Sequence, residues 1–435
     1  LQDRNPRKRA KKIDELLASP AYAEHGSKIW MATLIGNPVG GSGLHPWFQE
    51  WLQDAFARNL PWDQLVREIV LAEGWLDQTK VGVYLYRWED PADQTSAVAR
   101  HFMGVQIRCA QCHDHPFDTR WKQKDFWAVA AFFSRLQAEY SETETMKDPT
   151  YGCELPRQRY VEAEAGEVDL PEAKHPLVVP PRFLGRTNQV SPPHRRRAFA
   201  QWLTAADNPW FARALVNRLW GHLLGRGLVH PVDDFGERAV PAWPEVLNGL
   251  AEEFAQGGFD VKALLRRILN TRVYQRSSVY PKEKRPPPER FAVQSLRRLS
   301  RHQLLQSIGR ATDFDFVFRF LPEEGAEAGA EDPSEMTGKP EEQEYDARED
   351  FLVQVQRSDS PVERALLRLN GSVFNDSIGG GKRLTAVLER RFTEADRIRW
   401  LFLATLSRPP TRSETDRFAD YVRVAPDPYA AYADV

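Results

Sequence analysis

Cysteine is scarce in this chain of 435 residues: only Cys109, Cys112 and Cys153 occur. So few thiols exclude a disulfide-stapled scaffold. Long apolar runs are also missing. The longest, Phe126–Phe133, is far too short to cross a bilayer, so no membrane span is expected. Net charge is close to nil, −2 overall, which leaves no basic field for wrapping nucleic acid. There is no Gly-rich phosphate loop, nucleophile elbow or HExxH zinc motif. Gly379-Gly380-Gly381 lacks the preceding strand and the following Lys-Ser/Thr of a phosphate loop, and reads as a flexible turn. A hydrophobic signal region is lacking too. The chain starts at Leu1 within a basic, helix-like segment and reads as a trimmed or mature form.

What is present is length and aromatic mass. Thirteen Trp and 23 Phe suit wide, aromatic-rich cores, and the length allows two or more domains. Helical punctuation dominates. Trp47, Phe48, Trp51, Leu52, Ala55 and Phe56 make one apolar helical stripe, and Leu65, Val66, Ile69 and Val70 make another after Pro61. A helix over 97–112 is expected to end at the second cysteine, and one over 126–136 to be opened by Asp125. Together these give a helical domain over 1–160. Six prolines between Pro171 and Pro193 then mark an extended, Pro-rich linker over 161–195, with Val178-Val179 its only strand-like piece.

A second helical domain is expected over 196–435. Asn208-Pro209 opens one helix that Gly225 closes, Asp260 caps another, and Ser300 caps a third. Thr411-Arg412-Ser413-Glu414 is a capping box, preceded by a helix around 397–406. Residues 429–435 read as the start of a further helix cut short. An acidic segment at about 323–350 reads as a mobile surface insertion. The fold class is therefore mostly α: two helical domains, a Pro-rich linker and few short strands.

The most informative stretch is Cys109-Ala110-Gln111-Cys112-His113-Asp114-His115. Cys-x-x-Cys-His lets two thiols add across the vinyl groups of haem while the adjacent imidazole binds iron. Cys109 and Cys112 are thus candidate tethers of a covalent haem c, and His113 its proximal ligand. Phe117, Trp121, Phe126 and Trp127 could wall the porphyrin, although each alone reads as core packing. His115 lies too close to His113 to reach the opposite haem face. His101 and Met103 are too far back along a continuous helix. His222 is the candidate sixth ligand, with His45 and His230 behind it.

Two alternatives use the same residues. A CxxC pair in an oxidising compartment can close as a disulfide. Cys109, Cys112, His113 and His115 are also ligand-type side chains for a metal such as Zn, two or three of them with a distant residue. Asp233-Asp234 could hold Ca or act as acid and base, but reads more simply as a cap and turn. Arg195, Arg196 and Arg197 read as a solvated helix start. Asn217 and Arg218 read as a buried polar pair organising a domain contact, and Cys153 as a partly buried thiol.

Residues 109–118, Cys-Ala-Gln-Cys-His-Asp-His-Pro-Phe-Asp, with Trp121 and Asp125-Phe126, resemble the planctomycete cytochrome-associated PSCyt-type domain. Asp207-Asn208-Pro209, Asn217 through His222, Gly225 through Val229 and Asp233-Asp234-Phe235-Gly236 resemble its usual partner, the PSD-type domain. Tyr274 through Ser278, Arg297 through Ser300, Ala365 through Gly371 and Leu406 through Thr411 follow in the family's order. The resemblance implies an exported setting and no particular reaction. Members of the family continue past the equivalent of Asp434, so a C-terminal truncation is expected, and the acidic insertion departs from the pattern.

The expected function is an exported, periplasmic c-type haem protein in electron transfer or redox chemistry, with a redox partner or dehydrogenase. The alternative is a haem-free exported protein, a carbohydrate-associated hydrolase or a binding scaffold, in which the motif is a disulfide or a Zn or Ca site.

Overall fold

The computed structural model describes residues 4–36, 43–171, 175, 177–280, 285–295, 301–313, 378 and 382–434. The acidic insertion, the Gly379–Gly381 turn, the Ala365–Gly371 match and the Ser300 cap lie outside them. The described chain is mostly α, with few short strands, as its periodicity predicts.

Four helices open it: α1 (Lys8–Ala18), α2 (Pro20–Leu34), α3 (His45–Ala57) and α4 (Trp62–Val70). Pro20 begins α2 at the position where a missing N–H costs nothing. The two predicted stripes face inward: Phe48, Leu52, Ala55, Leu65, Val66 and Ile69 are essentially fully buried. Strand β1 (Gly74–Trp75) and helices α5 (Val83–Arg87) and α6 (Pro91–Val98) follow. The Asp90 carboxylate caps α6 by accepting from the Ala92 N–H at 2.7 Å.

The expected 97–112 helix does not form. The chain leaves α6 through a π turn, Ala99–Met103, and Gly104 turns it in the left-handed region at φ 64°. A short 3₁₀ turn, Arg108–Gln111, then starts the cysteine motif. The 126–136 helix is also shorter than its apolar run suggests. Helix α7 spans Gln123–Ala130, with Asp125 accepting from the Lys122 N–H as expected of its opening residue.

After α7 come strands β2 (Leu136–Lys147) and β3 (Glu154–Glu162), which the sequence did not betray. They form an antiparallel sheet with β1, in the order β1-β3-β2. The register runs Leu136↔Glu162 to Tyr140↔Gln158, then Thr145↔Pro156 to Lys147↔Glu154 across an irregularity. Cross-strand charge holds it. Arg159 pairs with Glu139 directly opposite at 2.6 Å, and Arg157 pairs with Glu144 at 2.6 Å. Both guanidiniums lie over the Trp75 ring of β1. In the Pro-rich segment the strand-like Val178 makes one isolated bridge, to Asp169.

Beyond it lie α8 (Arg195–Leu203), α9 (Phe211–Leu224), α10 (Pro244–Gln256) and α11 (Val261–Leu269). Asn208 Oδ1 accepts from the Trp210 and Phe211 N–H groups, Gly225 closes α9 at φ 84°, and Asp260 caps α11. One continuous core runs from Ala23 to Phe291. Among the described residues up to 295, the helices on both sides of the linker share this core and form one compact unit.

Arg195 and Arg196 at the start of α8 bind these parts together and correct the expectation of a solvated helix start, which holds only for the exposed Arg197. Arg196 is fully buried. It donates to the Val70 and Ala72 carbonyls at 3.0 and 3.2 Å and pairs with Glu73 and Glu162. Arg195, also buried, donates to the Ala131 and Gly166 carbonyls and to both oxygens of Glu167. The planar five-donor guanidinium satisfies several carbonyls at once, so an arginine run can serve as a core rivet.

The second unit, described over 301–313, 378 and 382–434, holds α12 (Arg301–Thr312), α13 (Lys382–Leu388), α14 (Glu394–Leu406), α15 (Arg412–Val424) and α16 (Pro428–Asp434). Its core gathers Leu384, Ile398, Leu401, Phe402, Val422 and Tyr432. The Thr411/Glu414 capping box is present, and α16 matches the helix expected at the end.

Candidate functional site

The motif lies on a surface loop between the π turn and α7. Ala110 is its only fully buried member, tied by its N–H to the Ile107 carbonyl at 2.9 Å. With Ala110 facing in, Cys109, Cys112 and His113 face out, and all three are exposed. Helix α7 braces the turn from behind. Trp127 Nε1 donates to the Gln111 carbonyl at 2.9 Å, and Gln123 Nε2 donates to the Cys112 carbonyl at 2.9 Å. Asp114 accepts from the Gln123 N–H at 3.0 Å. That bond, then Lys122, holds its carboxyl below the usual range.

Cys109, Cys112 and Cys153 are all exposed, unpaired thiols. Cys153 is thus exposed rather than partly buried. Among the described residues, no group of three or more His, Cys, Asp or Glu side chains is gathered to hold a metal ion. The Zn or Ca alternative has no assembled ligand set there.

The two motif histidines differ in tautomer, and their partners assign it. His113 Nδ1 lies 2.8 Å from the Asp114 carbonyl oxygen, which can only accept. Nδ1 therefore carries the hydrogen, and in the neutral ring Nε2 keeps the lone pair. His115 is the reverse. Its Nδ1 accepts from the Asp118 N–H at 2.9 Å and the Phe117 N–H at 3.2 Å. In the neutral ring its Nε2 then bears the hydrogen and has no lone pair for a metal. His115 is a loop brace, whereas His113 keeps an exposed Nε2 lone pair. A ligating imidazole whose other nitrogen donates to a carbonyl is the usual orientation device at metal sites. Two outward thiols and such an imidazole fit the donor set of covalent haem.

The proposed walls divide. Trp121 and Phe126 are buried in the core, Trp121 against Trp210 at 6.2 Å between ring centroids. Trp127 is half-buried and engaged with Gln111. Phe117 stands 69% exposed beside His115, open to whatever covers the motif. His101 and Met103 are buried, with His101 Nδ1 3.1 Å from the Tyr84 hydroxyl. His45 is buried and His230 exposed. His222 is exposed on the last turn of α9, one turn beyond Arg218 on the same helix face.

Asn217 and Arg218 organise a contact as their sequence setting suggested. Asn217, fully buried, accepts from the Val229 N–H and donates to the Val229 and Val232 carbonyls. Arg218 donates to the Arg100 carbonyl at 3.1 Å, joining α9 to the π turn. Asp233 is not a helix cap. It is buried and paired with Arg100 at 2.6 Å. Burial alone would raise its carboxyl, but the hydrogen bond and charge of Arg100, with Arg218 behind, hold it below the ordinary value. Asp234 does brace a turn, accepting from the Gly236 N–H at 3.2 Å.

Sequence reasoning missed Arg100, Arg120, Gln123 and Glu237, which hold the loop. No local pattern flags them, because Arg100 and Glu237 have partners far away in sequence, Gln123 takes loop carbonyls, and the Arg120–Asp118 pair gains its role only from the distant 235–237 backbone.

Comparison with known proteins places the same two regions. The family model PSCyt2, described as a protein of unknown function (DUF1549), matches residues 1–138. PSD1, a protein of unknown function (DUF1553), matches residues 195–314. No curated protein and no solved structure matches the chain. The CAQCHDHPFD signature falls inside the first match and the Asn208–Gly236 signature inside the second. The chain carries a PSCyt2 region followed by a PSD1 region.

Proposed function

We propose that this chain is an exported c-type haem protein that transfers electrons in the periplasm or an equivalent compartment. Cys109 and Cys112 would be the thioether tethers and His113 Nε2 the proximal ligand. One observation carries the reading: the Asp114 carbonyl holds the His113 Nδ1 hydrogen, so Nε2 is presented as a lone-pair donor beside two outward, unpaired thiols. Bound there, haem supplies a one-electron redox centre.

The remaining chemistry belongs to the chain. Asp114 and α7 fix the direction of the imidazole. His115 is spent on the loop amides, and His222 is the further residue that would help to hold the haem iron. The surface placement of the motif suits electron exchange with a docked periplasmic partner such as a dehydrogenase. Covalent attachment of haem outside the cytoplasmic membrane accounts for the exported setting.

The test is the absorption spectrum of full-length protein exported in cells that carry the haem-attachment machinery. A pyridine-haemochrome band of the c type is expected, with His113→Ala keeping covalent haem but changing the spectrum of the reduced protein. A colourless product would refute the reading. His222→Ala should convert a six-coordinate spectrum to five-coordinate if His222 fills the sixth position.

A further inference from the structure

The cysteine loop belongs to the PSCyt2 region, yet it is gripped at both stems by a turn of the PSD1 region, residues 231–237. At the near stem Asp233 accepts from Arg100 Nε at 2.6 Å and Gln106 Nε2 at 3.3 Å. The Phe235 N–H donates to the Gly104 carbonyl at 2.7 Å. At the far stem Asp118 takes Arg120 in a two-pronged pair, at 2.8 and 2.6 Å, and accepts from the Glu237 N–H at 2.9 Å. Arg120 also donates to the Phe235 carbonyl at 3.1 Å. Glu237 Oε2 accepts from both the N–H and the hydroxyl of Thr119, at 3.1 and 2.9 Å.

The fit is close. A Cβ on Gly104 would come 2.7 Å from the Phe235 ring, whose face carries the Arg213 guanidinium at 5.4 Å. The turn therefore seats against glycine backbone with no slack. Between the stems the motif is backed by α7, and the far stem runs straight into His115, whose Nδ1 accepts from the Asp118 N–H. Through that bond Asp118 holds the His115 imidazole, and with it the end of the motif.

We propose that the 231–237 turn is the positioning element of the CxxCH loop, with Glu237 and Asp118 as positioning residues that fix the attitude of His113 and the two thiols. This rests on the haem reading. It gives a physical reason for a PSCyt2 region to be followed by a PSD1 region: the second completes the mounting of the first.

The experiment compares full-length wild type with Glu237→Ala, Glu237→Gln and Thr119→Val, the last keeping the fold if Glu237→Ala loses it. Two readouts are taken: amide exchange over 115–121 in haem-free protein, and the visible spectrum of protein exported with the haem-attachment machinery. Losing hydrogen bonds to a charged acceptor should speed exchange at the 118–121 amides about tenfold or more. The haem spectrum should change in the alanine variant and return in Glu237→Gln, which keeps an acceptor oxygen. Unchanged exchange overturns the proposal whatever the haem does. Faster exchange with an unaltered spectrum overturns it too, since Glu237 would then only stabilise the loop. A wild type without c-type haem sinks the haem reading itself, and is told apart because exchange is measured without haem.

Discussion

Acidification reads the buried end of this mounting. His101 sits in the π turn against Tyr84, Trp88 and Phe102. Burial first, then the charges of Arg218 and Arg100, push its pKa from 6.5 down to about 3, against the pull of Asp233. Between those values the unfolded chain binds a proton that the native state refuses. Stability is therefore full above the unfolded pKa and is lost as pH falls toward the folded one. At about pH 5, roughly one and a half units below the unfolded value, the loss is about 2 kcal/mol. The figure hardly depends on the native value so long as that stays well below 5. Urea unfolding of the full chain, followed by tryptophan fluorescence at about pH 7 and about pH 5, measures it. His101→Gln keeps a hydrogen-bonding side chain beside Tyr84 but has no proton to gain. Wild type should lose about 2 kcal/mol more on acidification than the variant, other groups cancelling in the difference. Equal losses would refute the placing of a neutral His101 in the core.

Three further perturbations test the packing. Arg196→Ala should destabilise the first unit by about 3–5 kcal/mol, because Glu162 and the Val70 and Ala72 carbonyls lose a buried partner; Arg196→Lys should not restore it, as shown by denaturant midpoints. Gly104→Ala forces a side chain into the left-handed region and onto Phe235, and should cost about 2 kcal/mol by thermal unfolding. Burial would raise the Asp118 carboxyl, but the Arg120 and Glu237 hydrogen bonds hold it below its ordinary value. Its stabilising share is therefore present above the unfolded pKa and lost as pH falls through the folded one, so Asp118→Asn should flatten the acid limb of a stability–pH curve below about pH 4.

Local signals were legible where a residue's role is set by its own neighbours. The stripes of α3 and α4, the Asp260 cap and the Thr411 capping box depend on spacing alone. Strand β2 was hidden because Glu139, Glu142 and Glu144 carry charge where apolar alternation would mark a strand, and its register is held by arginines of β3. Arg195 and Arg196 looked as solvated as Arg197 because nothing local tells a surface arginine from one feeding distant carbonyls. The site divides in the same way. Cys109, Cys112 and His113 were legible as a spacing, whereas the tautomers of His113 and His115 are set by loop backbone that only the fold closes. The grip of Glu237 on Thr119 joins residues far apart in sequence.

The most direct test of the central claim is acid–acetone extraction of the exported full-length chain, which strips haem that is not covalently bound. The account predicts that a c-type haemochrome band stays with wild-type protein after extraction and vanishes in the Cys109→Ala, Cys112→Ala double variant. A wild type left colourless, or a band that survives without both cysteines, would contradict it.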